Sequence, residues 1–314
     1  MEQIAVGIDI GGTTTKFGFV DINGNILARS VMPTTGFDDA TAFAEVLASE
    51  VTKVLQQAGT PPVKGVGIGA PNGNFFNGTI EYAPNLKWEG IIPLASMMAH
   101  HLGFPVVLTN DANAAAIGEM IYGAANGMKD FIFITLGTGV GSGIVANGNM
   151  IYGHDGFAGE IGHVILQPGG RLCGCGRQGC VETYCSATGI ARTYLEILSN
   201  KGKQPDIDFK NVDAKHVFTM ANKGDNSAIE SFEYTGKMLG LALANSVAYT
   251  SPEAIFLFGG LANAGDLLFR PTKISFENNL LKIYKNKIKI LPSGLPENDA
   301  AILGAASLAW KEIG

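Results

Sequence analysis

Charge is scarce in this 314-residue chain, at 16% of residues, and positive charge is the minority: 22 lysines and arginines against 28 aspartates and glutamates, net −6. No basic stripe is present, and an acidic chain of this kind is a poor match for nucleic acid or an anionic membrane surface. No apolar run reaches the ~20 residues that a membrane span requires. The start, MEQIAVGIDIGG, carries an acid at position 2 and passes at once into a strand-like pattern, unlike a signal peptide. There are only four cysteines. These absences point to the cytoplasm, where thiols stay reduced. A low-complexity tract is also missing: the 42 glycines fall in short clusters that mark turns and close backbone approaches.

What is present is ample apolar material, 46% of residues, in a length that suggests about two domains. Ile4–Ile10 reads as a strand, Gly11-Gly12 as a turn, and Lys16–Val20 as a second strand before Asn23-Gly24, a hairpin signal. Asp38 or Asp39 can cap a helix in which Phe43, Val46, Leu47, Val51, Val54 and Leu55 recur at helical spacing until Gly59. Val63–Gly69 and Val106–Thr109 read as buried strands, and Asp111 opens an alanine-rich helix to about Ala125. Phe131–Leu136 begins a second strand-rich stretch. A helix over Asn226–Thr250 then leads to Ala254–Phe258 and Gly259-Gly260, and Asn298–Ile313 reads as helical.

Two segments resemble each other. "IDIGGTTTKFGFVDINGN" from Ile8 and "ITLGTGVGSGIVANGN" from Ile134 are each an apolar strand, a Gly/Thr turn, another apolar strand and Asn-Gly-Asn, the second two residues shorter. Glycine-rich hairpins can look alike by chance, but helices alternating with buried strands follow both copies, which fits two related α/β halves. Each turn offers backbone N–H groups and hydroxyls to an anion. The first adds Asp9, able to hold Mg²⁺ through water, and Lys16. Neither has Walker A spacing, and either could be a plain tight hairpin. Two such loops suggest a nucleotide clamped between lobes.

Asn110 and Asp111 stand where a strand ends and a helix starts, so either could be an N-cap. Glu160 and Glu182, taken singly, would be surface glutamates, and "GAPNGN" (Gly69–Asn74) a turn. Cys173, Cys175 and Cys180 form C-x-C-x4-C with glycines at 174, 176 and 179, and His163 completes a Cys3His set. That is a structural zinc composition with no open position. A Cys-x-Cys disulfide would be strained, inert buried thiols are the alternative, and Cys185 reads as an ordinary buried thiol.

Taken together, "DIGGTTTK" (Asp9–Lys16), "NDANAAAIGE" (Asn110–Glu119), "LGTGVGSG" (Leu136–Gly143), "GEIGH" (Gly159–His163), "CGCGRQGCVE" (Cys173–Glu182) and "FGGLANAGD" (Phe258–Asp266) resemble the ROK family of sugar kinases, within the actin-like ATPase superfamily, nearly end to end. The resemblance implies an α/β fold of two actin-like (ribonuclease H-like) domains with a duplicated βββαβαβα core and a zinc-binding loop. The small domain would be 1–110 joined by the C-terminal helix 298–314, and the large domain 111–297. It implies transfer of the γ-phosphate of ATP to a hexose, closest to the glucokinases, with the 6-hydroxyl of glucose as acceptor. N-acetylmannosamine, N-acetylglucosamine, fructose or allose are the alternatives. Asp111 matches the catalytic base, and Asn72, Gly73, Asn110, Glu160, His163 and Glu182 match sugar contacts. Asp9, Gly11, Gly12, Thr13, Thr14, Lys16, Gly137, Thr138, Gly139, Gly259 and Gly260 match the ATP and Mg²⁺ side. His163, Cys173, Cys175 and Cys180 match ligands of a structural Zn²⁺, which would brace His163 and Glu182 in the sugar wall. A homodimer is implied. The family also holds sugar-responsive repressors with a helix-turn-helix ahead of the first phosphate motif. Asp9 lies too near the start for one to be expected here.

Overall fold

The first apolar run forms β1 (Ile4–Ile10), the middle strand of a five-stranded sheet in the computed structural model, which describes residues 2–314. β2 (Thr14–Asp21) and β3 (Ile26–Pro33) continue it antiparallel. α1 (Ala40–Gln57) is capped by Asp39, whose carboxylate accepts the Ala42 N–H at 2.8 Å. Phe43, Leu47, Val51 and Leu55 bury its inner face, whereas Val46, expected on that stripe, is exposed. β4 (Val63–Ala70) returns parallel to β1. A small sheet of β5 (Gly73–Asn74), β6 (Thr79–Glu81) and β7 (Ile91–Ile92) follows, then α2 (Leu94–Leu102) and β8 (Val106–Asn110), parallel to β4. α3 (Asp111–Tyr122) stops short of the expected Ala125. The buried Glu119 carboxylate accepts the Ala124 N–H at 2.9 Å and turns the chain out of the helix.

The second sheet repeats the first. β9 (Phe131–Leu136), β10 (Val140–Ala146) and β11 (Asn149–Met150) are antiparallel neighbours. Then come α4 (Glu182–Cys185), α5 (Ala187–Asn200), α6 (Ala214–Asn222) and α7 (Asn226–Thr250). β12 (Ala254–Phe258), α8 (Asp266–Asn279), β13 (Lys289–Pro292) and α9 (Ala300–Glu312) complete the chain. The orders are β3-β2-β1-β4-β8 and β11-β10-β9-β12-β13, with matching strand senses. The two-residue difference in the repeat lies in its turns. Four residues separate the paired Ile10 and Thr15, but three separate Leu136 and Val140. Three lie between the hydrogen-bonded Asp21 and Asn25, but only the Asn147-Gly148 pair, both at positive φ, between Ala146 and Asn149.

Each sheet is covered by the helix that follows the other. α9 comes after β13 yet packs on β1 and β4, and α3 comes after β8 yet packs on β9 and β10. The surfaces that receive them differ. Gly7 and Gly67 pair across β1 and β4; a Cβ on them would lie 2.2 Å from the Ile302 carbonyl oxygen and 1.9 Å from that of Ala305. At the matching register in the second sheet stand Phe133 and Phe256, both fully buried in one cluster with Ala115 and Ala116 of α3. Among the described residues no helix is long and apolar enough to cross a membrane.

Candidate active site

Both glycine turns follow the central strand of their sheet. The Gly11 N–H donates to the Thr14 carbonyl at 3.0 Å and the Gly137 N–H to the Gly139 carbonyl at 3.1 Å, leaving Thr13, Thr14 and Thr138 open to solvent. The start of α5 holds the second turn: Ala187 N–H donates to the Gly137 carbonyl at 2.8 Å, and the Thr188 hydroxyl to the Thr138 carbonyl at 3.0 Å. Gly259, at φ +99°, lies against the Leu136 carbonyl and brings Gly260 beside this turn. The two meet in a cavity of about 420 Å³ lined by Gly137, Thr138, Ala187, Phe218, Gly260 and Ala264, among others.

The acids gather at the ends of β1 and β8. Asp9 pairs across the hairpin with Lys16. Gly69 lies between the two aspartates: a Cβ there would be 3.9 Å from Asp9 Oδ1 and 3.5 Å from Asp111 Cα. Burial, reinforced by the Asp111 charge and opposed by Lys16, pushes the Asp9 carboxyl up to about 7. Asn110 caps α3, its side-chain oxygen accepting the Ala112 N–H at 2.8 Å. Asp111 Oδ1 shares that N–H at 2.8 Å. Solvent reaches Asp111 from the cleft, while the protein crowded around its carboxyl raises its pKa against the opposing pull of the Ala112 N–H. Glu160 is raised too, first by burial and then by Asp111 and Glu182, with His163 opposing. Asp111, His163 and Glu182 thus all lie within electrostatic range of Glu160.

Glu182 is anchored between two regions. Its Oε2 accepts the Val140 N–H at 3.0 Å, just past the second glycine turn, and its Oε1 lies 3.7 Å from Cys173 Sγ. Asn72, at φ +50°, donates from its amide to the carbonyls of Glu81 at 2.9 Å and Tyr82 at 3.3 Å, which leaves its amide oxygen free for a ligand. Gly73 is buried, and its backbone lies so close to Thr109 that a Cβ would be 2.3 Å from the Thr109 carbonyl oxygen.

His163, Cys173, Cys175 and Cys180 converge, with their ligand atoms all within 4.8 Å of one another. His163 Nδ1 is 3.7 Å from Cys173 Sγ, and Cys175 Sγ is 3.7 Å from Cys180 Sγ. A tetrahedral zinc with ~2.3 Å sulfur bonds would place its ligands about 3.8 Å apart, so the donor set and its spacing fit that ion. All four cysteines are free thiols, and Cys185 is buried by itself as expected. Burial raises the Cys175 pKa, but the Arg177 N–H and guanidinium outweigh it and bring the thiol down to about 6.

A model of the ROK family matches residues 5–312. The chain belongs to the ROK family. It is 39% identical to a glucokinase of Halalkalibacterium halodurans over 98% of this chain and 95% of the relative, and 34% identical to a glucokinase of Thermotoga maritima over 98% of each. Among solved structures it is similar to a ROK family glucokinase from Streptomyces griseus in complex with glucose and AMPPNP. The TM-score is 0.82 and the identity 33%, over 98% of this chain and 99% of that one. The mixed α/β, two-sheet architecture is thus that of a ROK kinase and is consistent with an actin-like ATPase.

Several residues of this candidate site escape sequence reasoning. Val140 contributes through its backbone, which carries no residue-type signal. Ser186 was missed, although an N-cap ahead of a periodic run is a readable signal; its hydroxyl accepts the Gly189 N–H at 3.0 Å and sets the helix start that holds Thr138. Arg171 is buried and donates to the Thr183 carbonyl at 2.7 Å, Thr193 Oγ1 at 2.9 Å and Glu196 Oε2 at 2.5 Å, pinning the cysteine loop to α4 and α5. A buried arginine cannot be told from a surface one by type alone.

Proposed function

We propose that this chain is an ATP-dependent hexose kinase that phosphorylates the 6-hydroxyl of glucose. The observation that carries this reading is the pair Asp9 and Asp111 on either side of Gly69, with the second glycine turn tied through Val140 to Glu182. We read the sheets as two duplicated actin-like domains, residues 1–110 with 298–314 and residues 111–297. The cavity between Thr138 and Gly260 has the position and size for adenosine. The turns Gly11–Thr14 and Gly137–Gly139 would offer N–H groups and hydroxyls to phosphates, with Lys16 as a cation.

Asp111 is the base. Its Oδ1 is fixed by the Ala112 N–H, so Oδ2 can take the hydroxyl proton, and a pKa raised by burial makes it a better acceptor than an ordinary aspartate. The Asn110 amide oxygen is used in capping, which leaves its NH₂ group to donate to the sugar. Asn72, Gly73, Glu160, His163 and Glu182 line the remaining acceptor contacts. The Asp9 carboxyl, held up to about 7 beside a second carboxylate, is suited to a divalent cation, whose charge would favour its ionised form. When bound, Mg²⁺ offsets phosphate charge and helps to align the nucleotide. The Cys3His set suits a structural Zn²⁺; His163 Nδ1 faces the sulfurs, so Nε2 can reach the sugar. Reduced thiols suit the cytoplasm, and the expected assembly is a homodimer, measurable by size in solution.

The test is ATP turnover across glucose, N-acetylmannosamine, N-acetylglucosamine, fructose and allose. Glucose is expected to give the highest kcat/KM. Preference for another sugar removes the acceptor assignment, and absence of turnover on all five removes the kinase reading. Stripping zinc with a chelator is expected to raise the sugar KM or unfold the loop; unchanged kinetics in metal-free protein would show that the metal does not brace the sugar wall.

A further inference from the structure

One amide joins the two walls of the proposed sugar pocket. Asn74 on β5 is 2% exposed, and its side chain makes four hydrogen bonds. Its Nδ2 donates to Glu81 Oε1 at 3.0 Å and to the Asp155 carbonyl at 2.9 Å. Its Oδ1 accepts the Phe76 N–H at 3.0 Å and the Asn77 N–H at 3.4 Å. Glu81 is the residue whose backbone holds Asn72: the Asn72 amide donates to its carbonyl, and its N–H donates to the Asn72 carbonyl at 3.1 Å. Asp155 belongs to the loop after β11 that leads, five residues later, to Glu160. The chain Asn72–Glu81–Asn74–Asp155 therefore spans from the first half's wall to the second's.

Two further contacts act at the same junction. Phe75 stacks on Tyr152 with centroids 4.0 Å apart and planes 3° from parallel, and Phe76 meets the Tyr152 ring edge-on at 6.0 Å. Gly156 stands so close to Asn74 that a Cβ would lie 2.7 Å from Asn74 Oδ1, at a φ of +94° that other residues rarely adopt. Glu81 Oε1 also accepts the Thr79 hydroxyl at 2.9 Å, so its carboxylate cannot turn away without losing two bonds.

We propose that Asn74 is a positioning residue for the acceptor sugar: its buried amide, with the Phe75–Tyr152 stack, fixes the Asn72 turn relative to the Glu160 loop. The inference rests on the hexose-kinase reading, because it presumes that both walls touch the sugar. Asn74 itself is 2% exposed and has both amide atoms engaged by protein partners, so it acts through the residues it holds. Loss of the tie loosens the acceptor's placement while the nucleotide turns stay as they are.

Asn74→Asp keeps the acceptor for Phe76 and Asn77 but removes both donors and sets a carboxylate against Glu81. In this variant the sugar KM is expected to rise about tenfold while the KM for ATP changes less than about twofold. Adding Glu81→Gln restores a donor opposite the new carboxylate, so the double variant is expected to recover part of the sugar KM. A purely structural role would lower the melting temperature without separating the sugar KM from the KM for ATP. Phe75→Leu keeps apolar volume without the stack and is expected to raise the sugar KM about threefold; it carries the test if Asn74→Asp fails to fold, as judged by a thermal melt. An unchanged sugar KM in folded variants, equal rises in both KM values, or a double variant no better than Asn74→Asp would overturn the proposal. The parent protein is measured first on the five-sugar panel with its best sugar then used throughout, so failure of the kinase reading shows in the parent and failure of the tie only in the variants.

Discussion

The two sheets share strand order, strand sense and register, yet hold opposite residues at matching places. Where the first has the pair Gly7–Gly67, the second has Phe133–Phe256. Where the first has Asp9 opposite Lys16, the second has Thr135 opposite Gly141, the Thr135 hydroxyl accepting the Gly141 N–H at 3.0 Å. One sheet lets a helix backbone lie directly on it and holds charge at its turn. The other fills the same gap with rings and leaves its turn neutral, taking a carboxylate from Glu182 instead. A shared topology thus fixes where a turn sits and leaves its chemistry to a few positions.

The largest expected effect comes from the carboxylate that follows the last strand of the first sheet. Asp111→Asn should lower kcat by about 10³-fold with the sugar KM little changed, as measured by steady-state turnover, since general-base loss typically costs ~10²–10⁴-fold. Near-normal kcat would refute the base assignment. Next is the packing contrast. Phe256→Ala opens a cavity and should cost about 3–5 kcal/mol in urea unfolding. Gly67→Ala drives a methyl group into the Ala305 carbonyl and forces α9 off the sheet, which should cost about 1–3 kcal/mol. If the alanine at 67 proved neutral, the close approach of α9 would be wrong.

Smaller, and of opposite sign for stability, is Asp9→Asn. The native carboxyl titrates near 7 against a reference value of 3.8, so between those values the folded state holds the extra proton. Stability from that group is therefore full below the reference value and is lost as pH rises through about 7. Asparagine removes this slope: the metal-free variant should melt higher than the parent at pH ~8 and alike at pH ~4, while its turnover falls. A parent that melts at the same temperature at both pH values, relative to the variant, would show that Asp9 is not buried as a charge. Thr135→Val, the matched change in the neutral sheet, should alter kcat by less than about threefold because no charge is lost.

Much of this contrast could be read in the chain. The Asn226–Thr250 helix and the Ala254–Phe258 strand have the expected bounds, because a long periodic run and a short apolar run between breakers are strong signals. The acids and cysteines were legible through their motifs. Other features were not, for physical reasons. α8 contains Pro271 and so reads as interrupted. Val46 has the right residue type and spacing but faces solvent. The resemblance already joined the C-terminal helix to the first half, but the reciprocal packing of α3 on the second sheet, and the glycine pair Gly7–Gly67 that receives α9, emerge only in the folded chain. Asn74 looked like one more turn residue, since its partners are 7 and 81 positions away.

That exchange sets an order of events during synthesis. The first sheet is complete in sequence by residue 110, and α3 reaches its glycine face at Gly69, but Gly7 and Gly67 stay uncovered until residues 300–312 leave the ribosome. The second sheet meets its own cover, α3, before its first strand is made. The half that begins first must therefore finish last, and a chain stopped anywhere between α3 and α9 would expose the strip around Gly7 and Gly67 where a helix belongs.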